Sequence, residues 1–406
     1  MSIESRVRRI YERRPYPPPE LRRKGERWSL PPLEWIVAVS DPERPPVRRI
    51  LVAGCGVGSE AFAFVRRFPA AEVVGVDFSA RSIETARRLQ RRVPGCERIQ
   101  FEVADLTDSR LPEITGGDFD LVSCHGVLSY IPDPVGALRN LSHAMSKWGT
   151  LVLGVNGALH PSLRYRKSLP MFGLDPGEFH DSKRTREVLA IHDSIVVYPP
   201  VQLAGMSPAY IASDIFGPLN HSLPLTEWSR MCRKAGLHLR SNFYANIPLR
   251  QILNRSQQRL LLPRSRPAVC ELFDLIQPGS FYRTVYSRQR PKEPDWADGR
   301  SLLDWKPLVT PLFTFELPAR GGAWHNLRQV TLASKAINTK VTLRVPRWQI
   351  EILNQSSGEK SLREILRGVK PKVSPRELSE QMYILHQLAV INLLPPGAGG
   401  PKPVSS

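Results

Sequence analysis

The sequence predicts an α/β protein: a doubly wound, mostly parallel sheet, followed by a smaller C-terminal module. Three observations lead to this fold class. Short apolar runs alternate with segments of helical periodicity between residues 48 and 156, an alternation typical of parallel strands joined by helical crossovers. The first apolar run continues into the glycine-rich stretch VAGCGVGSE. Two later runs end in an aspartate, Asp77 and Asp105, where a doubly wound sheet places ligand-binding side chains.

Each element of the predicted sheet has its own boundary signals. Buried strands are predicted, in order, at RRILVAG, AEVVGVD, IQFEVAD, FDLVSCHG and GTLVLGVN. Helices between them are predicted at SEAFAFVRRF, at SARSIETARRLQRR with Ser79 as N-cap, and at DPVGALRNLSHAMS. Further along, LTEWSRMCRKAGLHLRSNFY predicts a helix that stops at Gly236 and a strand that completes the sheet.

Composition divides the chain into segments. A basic, proline-rich extension at residues 1–46 contains a short amphipathic helix around Ile3–Arg13, and the sheet domain occupies 47–246 with an irregular insertion at about 157–223. Residues 247–308 are an ambiguous linker, 309–396 an accessory domain and 397–406 a disordered tail. The accessory domain is predicted as a small α/β or winged-helix-like module because strand, helix, short helix, longer helix and apolar strand follow one another.

Charge and hydropathy restrict the function classes. The 57 Lys and Arg outnumber the 38 Asp and Glu, for a net charge of +19, which favours nucleic acid, acidic proteins or anionic surfaces. The excess is spread along the chain, so a generally basic protein without a nucleic-acid partner is the favoured interpretation. No apolar run approaches the roughly 20 residues that span a bilayer, and the N-terminus has no apolar signal region. We expect a cytoplasmic protein without membrane insertion.

The cysteines predict neither disulfides nor a metal site. They number five and form no C-x-x-C pair, so we expect small buried apolar side chains rather than a disulfide framework or structural zinc. They are Cys55, Cys96, Cys124, Cys232 and Cys270.

The glycine-rich stretch predicts a turn that approaches a ligand closely. Gly54, Gly56 and Gly58 remove side chains where the backbone turns. The dinucleotide pattern G-x-G-x-x-G would need a glycine where Ser59 stands, which disfavours an NAD-dependent oxidoreductase. Asp77, at the end of a strand, suits the two hydroxyls of a ribose, although an aspartate just before a helix can also act as a cap.

The order of the glycine turn, Asp77, Asp105 and FDLVSCHGVLSY resembles the class I S-adenosylmethionine-dependent methyltransferases over Arg48–Asn156. The resemblance implies a Rossmann-like, seven-stranded sheet, S-adenosyl-L-methionine as cofactor and a methyl-transferring enzyme. It assigns the methionine part of the cofactor to Gly54, Cys55, Gly56 and Gly58, the ribose and adenine face to Asp77 and Phe78, the adenine border to Asp105 and Leu106, and the reacting end to Cys124, His125 and Tyr130.

A narrower resemblance concerns the acceptor. The segments SCHGVLSYIPDP, LVLGVNGALHPSLRYRK, SDIFGPLNHSLPLTEWSRMCRKAGLHL and FDLIQPGSFYRTVY look like segments of bacterial protein-lysine methyltransferases with a C-terminal regulatory domain. This resemblance implies a macromolecular acceptor, with a protein side chain such as lysine favoured. An RNA or small-molecule acceptor, and a non-catalytic cofactor-binding protein of the same fold, stay as alternatives. The insertion departs from the family pattern.

Several residues are candidates for the transfer itself. A lysine acceptor has to lose its proton before attack, and His125 and Tyr130 are placed to take or relay it. Tyr11 or Tyr16 of the N-terminal extension is a candidate for a π-face over the cofactor or an ammonium group. Asn220 and His221 are candidates for a substrate loop. Each of these has an alternative interpretation as a packing, hydrogen-bonding or turn residue.

Overall fold

The computed structural model describes residues 2–16, 45–195, 205–243, 267–268, 272, 281–309, 314–316, 327–334, 339–369, 372–387 and 390–398. They fall into two compact units. Residues 2–16, 46–195, 205–237 and 281–282 belong to the first unit, and the others belong to the second. No helix in these ranges is both long and apolar enough to cross a bilayer.

A seven-stranded sheet forms the centre of the fold. Its strands are β1 (Arg49–Ala53), β2 (Glu72–Asp77), β3 (Gln100–Val103), β4 (Phe119–His125), β5 (Met145–Asn156), β6 (His238–Phe243) and β7 (Phe281–Ser287). They lie in the order β3-β2-β1-β4-β5-β7-β6. The pairs among β1 to β5 are parallel, and β6 runs antiparallel to β7. The predicted Rossmann-like, mostly parallel sheet is confirmed.

The strand order places the site. The chain continues from β1 to β2 on one side and later returns to β4 on the other side of β1. In a doubly wound sheet, the crevice beyond the carboxyl ends of two such strands is where ligands bind. The glycine turn follows β1, and the segment with His125 and Tyr130 follows β4.

The first unit also contains helices, of which one precedes β1 in the chain and the others follow strands of the sheet. They are α1 (Ile3–Arg13), α2 (Ser59–Arg67), α3 (Ala80–Gln90), α4 (Leu111–Thr115), α5 (Pro134–Ala144), α6 (Pro161–Ser168), α7 (Lys183–Ile195) and α8 (Leu225–Lys234). The predicted N-terminal helix has the bounds of α1. The hydroxyl of Ser79 accepts a hydrogen bond from the backbone N–H of Ser82, as expected of the N-cap of α3.

The insertion is more regular than the sequence suggested. Besides α6 and α7 it contains a 3₁₀ helix at Leu169–Phe172, a helical turn at Pro208–Tyr210 and a π-helical turn at Ile211–Ile215. These elements bury a small apolar core of their own, made by Tyr165, Leu169, Val188, Leu189, Ile211, Ile215 and Phe216. Scattered proline, glycine and histidine hid this periodicity, while burial of the shared core stabilises the short helices. Residues 196–204 lie outside the described ranges.

Besides β6 and most of β7, the described residues of the second unit form small antiparallel sheets and three α-helices. The strands of these small sheets are β8 (Lys306–Val309), β9 (Thr314–Glu316), β10 (Leu327–Ser334), β11 (Thr339–Pro346) and β12 (Ile391–Leu394). Its helices are α9 (Arg347–Gln355), α10 (Leu362–Leu366) and α11 (Pro375–Gln387). The order from β11 to β12 is the predicted one, and Ser374 accepts a hydrogen bond from Glu377 N–H before α11.

Two parts of the predicted organisation need comment. The segment 247–308, interpreted as a linker, contributes strand β7 to the large sheet and most of β8 to the second unit. Leu302 and Trp305 of this segment are buried in the apolar core of that unit with Trp348 and Ile352. The tail predicted at 397–406 lies almost entirely outside the described residues.

Candidate active site

The glycine turn is held against the neighbouring strand by its backbone. The N–H groups of Gly54 and Cys55 both donate to the carbonyl of Val76, each at 2.8 Å. The thiol of Cys55 is buried, and burial raises its pKa well above the usual value. The turn is therefore fixed at the carboxyl ends of β1 and β2, and Cys55 packs there as an uncharged side chain.

No side chain would fit at two positions of this turn. Gly54 has φ of 72°, and a Cβ there would lie 2.3 Å from a Val127 methyl carbon. Gly58 has φ of 86°, and a Cβ there would lie 2.8 Å from the ring of Phe101. Left-handed backbone angles and tight neighbours together require glycine. The two glycines thus allow Val127 and Phe101 to pack directly against the turn.

The carboxylate of Asp77 ends β2 beside this turn. It accepts hydrogen bonds from Gly56 N–H and Ser79 N–H, each at 2.9 Å. Burial raises the pKa of Asp77 to about 6, against the lowering effect of these two hydrogen bonds. Since each carboxylate oxygen has two lone pairs, both oxygens can still accept from another donor pair such as ribose hydroxyls. The bond to Ser79 shows that Asp77 also stabilises the start of α3.

The predicted adenine side lies next to the ends of β2 and β3. Asp105 accepts hydrogen bonds from the N–H and hydroxyl of Thr107 through Oδ1, at 2.9 and 2.8 Å. Its Oδ2 lies 3.5 Å from the guanidinium of Arg8. Leu106 is buried, and its carbonyl accepts from Asn140 at 2.9 Å.

Helix α1 lies against the same edge, which the sequence did not predict in this detail. Arg8 donates to the carbonyl of Phe78 at 3.3 Å, and its guanidinium lies 5.3 Å from the centre of the Phe78 ring. Glu12 accepts from Ala80 N–H at 2.9 Å, so it adds a second carboxylate at the start of α3. The ring of Tyr11 meets the ring of Phe78 edge to face, with centroids 5.6 Å apart.

His125, a predicted site residue at the end of β4, is tightly packed. The ring of His125 lies 5.1 Å from that of Phe281. A Cβ on Gly154 would lie 2.0 Å from His125 Cδ2, so the imidazole covers the β5 backbone there. Cys124 is fully buried, and burial raises the pKa of its thiol well above the usual value.

Tyr130 lies in a hydrogen-bonded group with residues that the sequence did not suggest. Its hydroxyl donates to Asp214 Oδ1 at 2.6 Å and accepts from Asn156 Nδ2 at 3.1 Å. Asn156 also donates to Asn220 Oδ1 at 3.1 Å. His221 contacts the carbonyl of Ile131 through Nε2 at 3.0 Å. The predicted pair Asn220 and His221 therefore lies beside the segment that carries Tyr130.

Comparison with known proteins finds methyltransferase sequences. Residues 51–151 match a family described as a methyltransferase domain. Trans-aconitate 2-methyltransferase of Streptomyces coelicolor is 29% identical over 201 residues, which are 48% of this chain and 61% of that protein. A ubiquinone biosynthesis O-methyltransferase of Alkalilimnicola ehrlichii is 36% identical over 107 residues, 26% of this chain and 40% of the relative.

This chain carries a class I S-adenosylmethionine-dependent methyltransferase domain. The fold is also that of PKMT2 from Rickettsia typhi in complex with AdoHcy, with a TM-score of 0.54 at 14% identity, covering 90% of this chain and 76% of that one. The match to the methyltransferase domain and the similarity to these relatives confirm the predicted family and its cofactor. The matched segments span only 61% and 40% of the two curated relatives, so the likeness to those relatives concerns the methyltransferase domain.

The residues of the methyltransferase domain fit its cofactor. The missing side chains at Gly54 and Gly58 let Val127 and the ring of Phe101 pack against the turn, and Asp77 beside it keeps acceptor capacity for a ribose. The hydroxyl of Ser59, buried at the first position of α2, has no hydrogen-bond partner within the described residues. A buried hydroxyl without a partner is costly, and a polar ligand at the turn would satisfy it.

Proposed function

We propose that this protein is an S-adenosylmethionine-dependent methyltransferase that acts on a protein side chain such as lysine. One observation carries the proposal: the glycine turn and Asp77 lie on one side of the sheet's switch point, and the hydrogen-bonded pair Tyr130 and Asp214 follows on the other side. The likeness to PKMT2, a name that denotes a protein-lysine methyltransferase, extends over 90% of the chain. It supports a protein acceptor.

We assign the cofactor to the residues that the resemblance named. Gly54, Cys55, Gly56 and Gly58 border its methionine part, and Asp77 accepts its ribose hydroxyls. Phe78, Asp105 and Leu106 border the adenine, and Cys124 and His125 lie at the end of β4. When bound, S-adenosylmethionine supplies an electrophilic methyl group on a sulfonium.

The chain's own contribution is alignment and proton handling. The Tyr130 hydroxyl is fixed between a carboxylate and an amide, a fixed position that suits a group relaying a proton from an acceptor. His125, packed against Phe281 and Gly154, suits the wall of the site better than a mobile base. Burial of this region excludes water and strengthens electrostatic interactions.

A small-molecule acceptor is the second candidate. The curated relatives are named for trans-aconitate and for ubiquinone biosynthesis, and their similarity lies in the methyltransferase domain. RNA remains a third acceptor class because of the net charge of +19.

Transfer of a tritiated methyl group into a cell extract tests the proposal. Purified protein and labelled cofactor are added to extract, which is then separated into protein, RNA and small molecules. We expect label in protein, retained as methylated lysine after hydrolysis. Label confined to small molecules or RNA contradicts the protein acceptor. Cofactor binding without any transfer supports the non-catalytic alternative.

A further inference from the structure

A single carboxylate, Asp214, lies in a pocket of tyrosines in the first unit. It belongs to the π-helical turn Ile211–Ile215 and accepts hydrogen bonds from Tyr130 at 2.6 Å and from the Ser213 hydroxyl at 2.8 Å. The residue keeps part of its surface accessible. Burial raises the pKa of its carboxyl group against the effect of these two hydrogen bonds.

Four tyrosine hydroxyls lie near enough to feel the charge of this carboxylate. For each of them, burial is the main cause of a raised pKa and the negative charge of Asp214 is the next. They are Tyr11, Tyr16, Tyr130 and Tyr210. The cluster therefore combines one negative charge with several aromatic rings, drawn from the N-terminal extension, the end of β4 and the insertion.

The cluster contains no cation of its own to balance that charge. Within the described part of the chain, no ion pair includes Asp214, and none of the causes of its pKa shift is a positive charge. The guanidinium of Arg166 lies near Tyr130, but it donates to the carbonyls of Ile215 and Gly217. A buried carboxylate without a countercharge is costly, so a ligand cation would be stabilised here, by the charge and by the π-faces.

Tyr11 connects this cluster to the cofactor side. Its ring contacts Phe78 at 5.6 Å between centroids. Its hydroxyl interacts with the side chain of Ser213 and with the charges of both Asp77 and Asp214. One side chain of α1 thus lies near both the carboxylate assigned to ribose and the carboxylate of the cluster.

We propose that Asp214, with the rings of Tyr11 and Tyr130, is the subsite that selects a cationic amine as methyl acceptor. This inference rests on the proposed methyltransferase function and assigns its specificity to one carboxylate. An ammonium acceptor has to release one proton before its nitrogen lone pair is free. Asp214 receives that proton, so an N–H bond breaks as an O–H bond forms. The nitrogen then bonds to the methyl carbon while the carbon–sulfur bond breaks, and its electron pair stays on sulfur.

The same subsite disfavours other acceptors. A carboxylate acceptor such as a tricarboxylic acid would meet a like charge in a desolvated place, and this repulsion disfavours its binding. A neutral hydroxyl would leave the negative charge unbalanced. The charge selects against the acceptor class of the trans-aconitate relative even though that relative resembles this domain.

Binding of model acceptors to the full chain loaded with S-adenosylhomocysteine tests the subsite. The cationic probe is Nα-acetyl-lysine methylamide, and the neutral and anionic probes are the corresponding norleucine and glutamate compounds. We expect the lysine probe to bind by calorimetry or NMR, and the other two to bind at least tenfold more weakly. Asp214→Asn, nearly isosteric, should weaken the lysine probe at least tenfold and leave S-adenosylhomocysteine affinity unchanged.

Controls separate charge from folding and from cofactor binding. Asp175→Asn removes another carboxylate of the insertion, one that accepts from Gly177 N–H, and should change nothing. If Asp214→Asn does not fold, Tyr11→Leu should weaken the lysine probe severalfold while Tyr11→Phe retains it. Equal binding of the three probes, no binding of the lysine probe, or full binding by a folded Asp214→Asn variant overturns the proposal. Failure to bind S-adenosylhomocysteine would instead contradict the methyltransferase function.

Discussion

The two sides of the crevice are built in different ways. The cofactor side consists of two short stretches that follow neighbouring strands: the turn from Gly54 to Gly58 after β1, and Asp77 at the end of β2. The hydrogen-bond partners of Asp77 are the backbone N–H groups of Gly56 and Ser79. The acceptor side uses side chains that meet across the sequence, as Tyr130 and Asp214 do over 84 positions. A local backbone motif can hold the cofactor, whereas the proposed acceptor subsite depends on side chains that β4 and the insertion bring together.

Loss of Asp77 should have the largest effect, and only on the cofactor side. Two charge-assisted hydrogen bonds to a ribose are worth roughly 1.5–3 kcal/mol each, so Asp77→Ala should weaken S-adenosylhomocysteine binding at least about 100-fold. Isothermal titration calorimetry measures this directly. Asp298→Ala, which removes a carboxylate in the second unit that accepts from Arg300 N–H, should bind like the wild type. An unchanged affinity of Asp77→Ala would contradict the assigned ribose contact.

At Gly54, the stability lost through tight packing can be measured separately from the stability lost through the left-handed backbone angle. Gly54→Ala should lose about 1–2 kcal/mol of stability from its left-handed φ and a further 1–3 kcal/mol from overpacking against Val127. Gly95→Ala is the matched control, because Gly95 has φ of 78° and nothing within 4 Å of an added Cβ. Urea denaturation should show the smaller loss in Gly95→Ala and the larger in Gly54→Ala. Equal losses would mean that packing does not require Gly54.

Protonation of Asp77 should make both the stability of the protein and its affinity for the cofactor depend on pH. Its pKa of about 6 lies above the usual value near 4, so the free protein takes up a proton on folding between pH 4 and 6. The contribution of this group to stability is therefore present below pH 4 and is lost as pH rises through 6. Ribose hydroxyls need the ionised carboxylate, so affinity for S-adenosylhomocysteine should fall up to tenfold per pH unit below 6. Asp77→Asn should flatten this part of the profile.

The contrast between the two sides explains what the sequence could predict. The glycine turn, Asp77 and Asp105 are readable because each lies at the end of an apolar run with a regular period. Asp214 carries no such signal, since SDIF is an ordinary polar and apolar mixture and its partner Tyr130 lies in a different part of the chain. The helices of the insertion were missed for a related reason: their stability comes from a shared core, which no local pattern shows.

The smallest effect should come from the helix that touches both sides. Arg8 pairs with Asp105 at 3.5 Å on the surface, with 46% and 30% of the two side chains exposed, and such pairs are worth about 0.2–1 kcal/mol. Arg8→Ala should therefore weaken S-adenosylhomocysteine binding no more than about fivefold, through looser packing of α1 against Phe78. The effect should shrink at high salt, because screening weakens exposed pairs.

Arg9→Ala is the matched control for that variant. Arg9 is an exposed arginine next to Arg8 on α1, and its side chain forms no ion pair or hydrogen bond within the described residues. Calorimetry at low and high salt should show a salt-dependent loss for Arg8→Ala and none for Arg9→Ala. A tenfold or larger loss in Arg8→Ala would mean that α1 is part of the cofactor site itself rather than a support for Tyr11. In that case the difference between a local cofactor side and a composite acceptor side would no longer hold, since both would depend on the N-terminal helix.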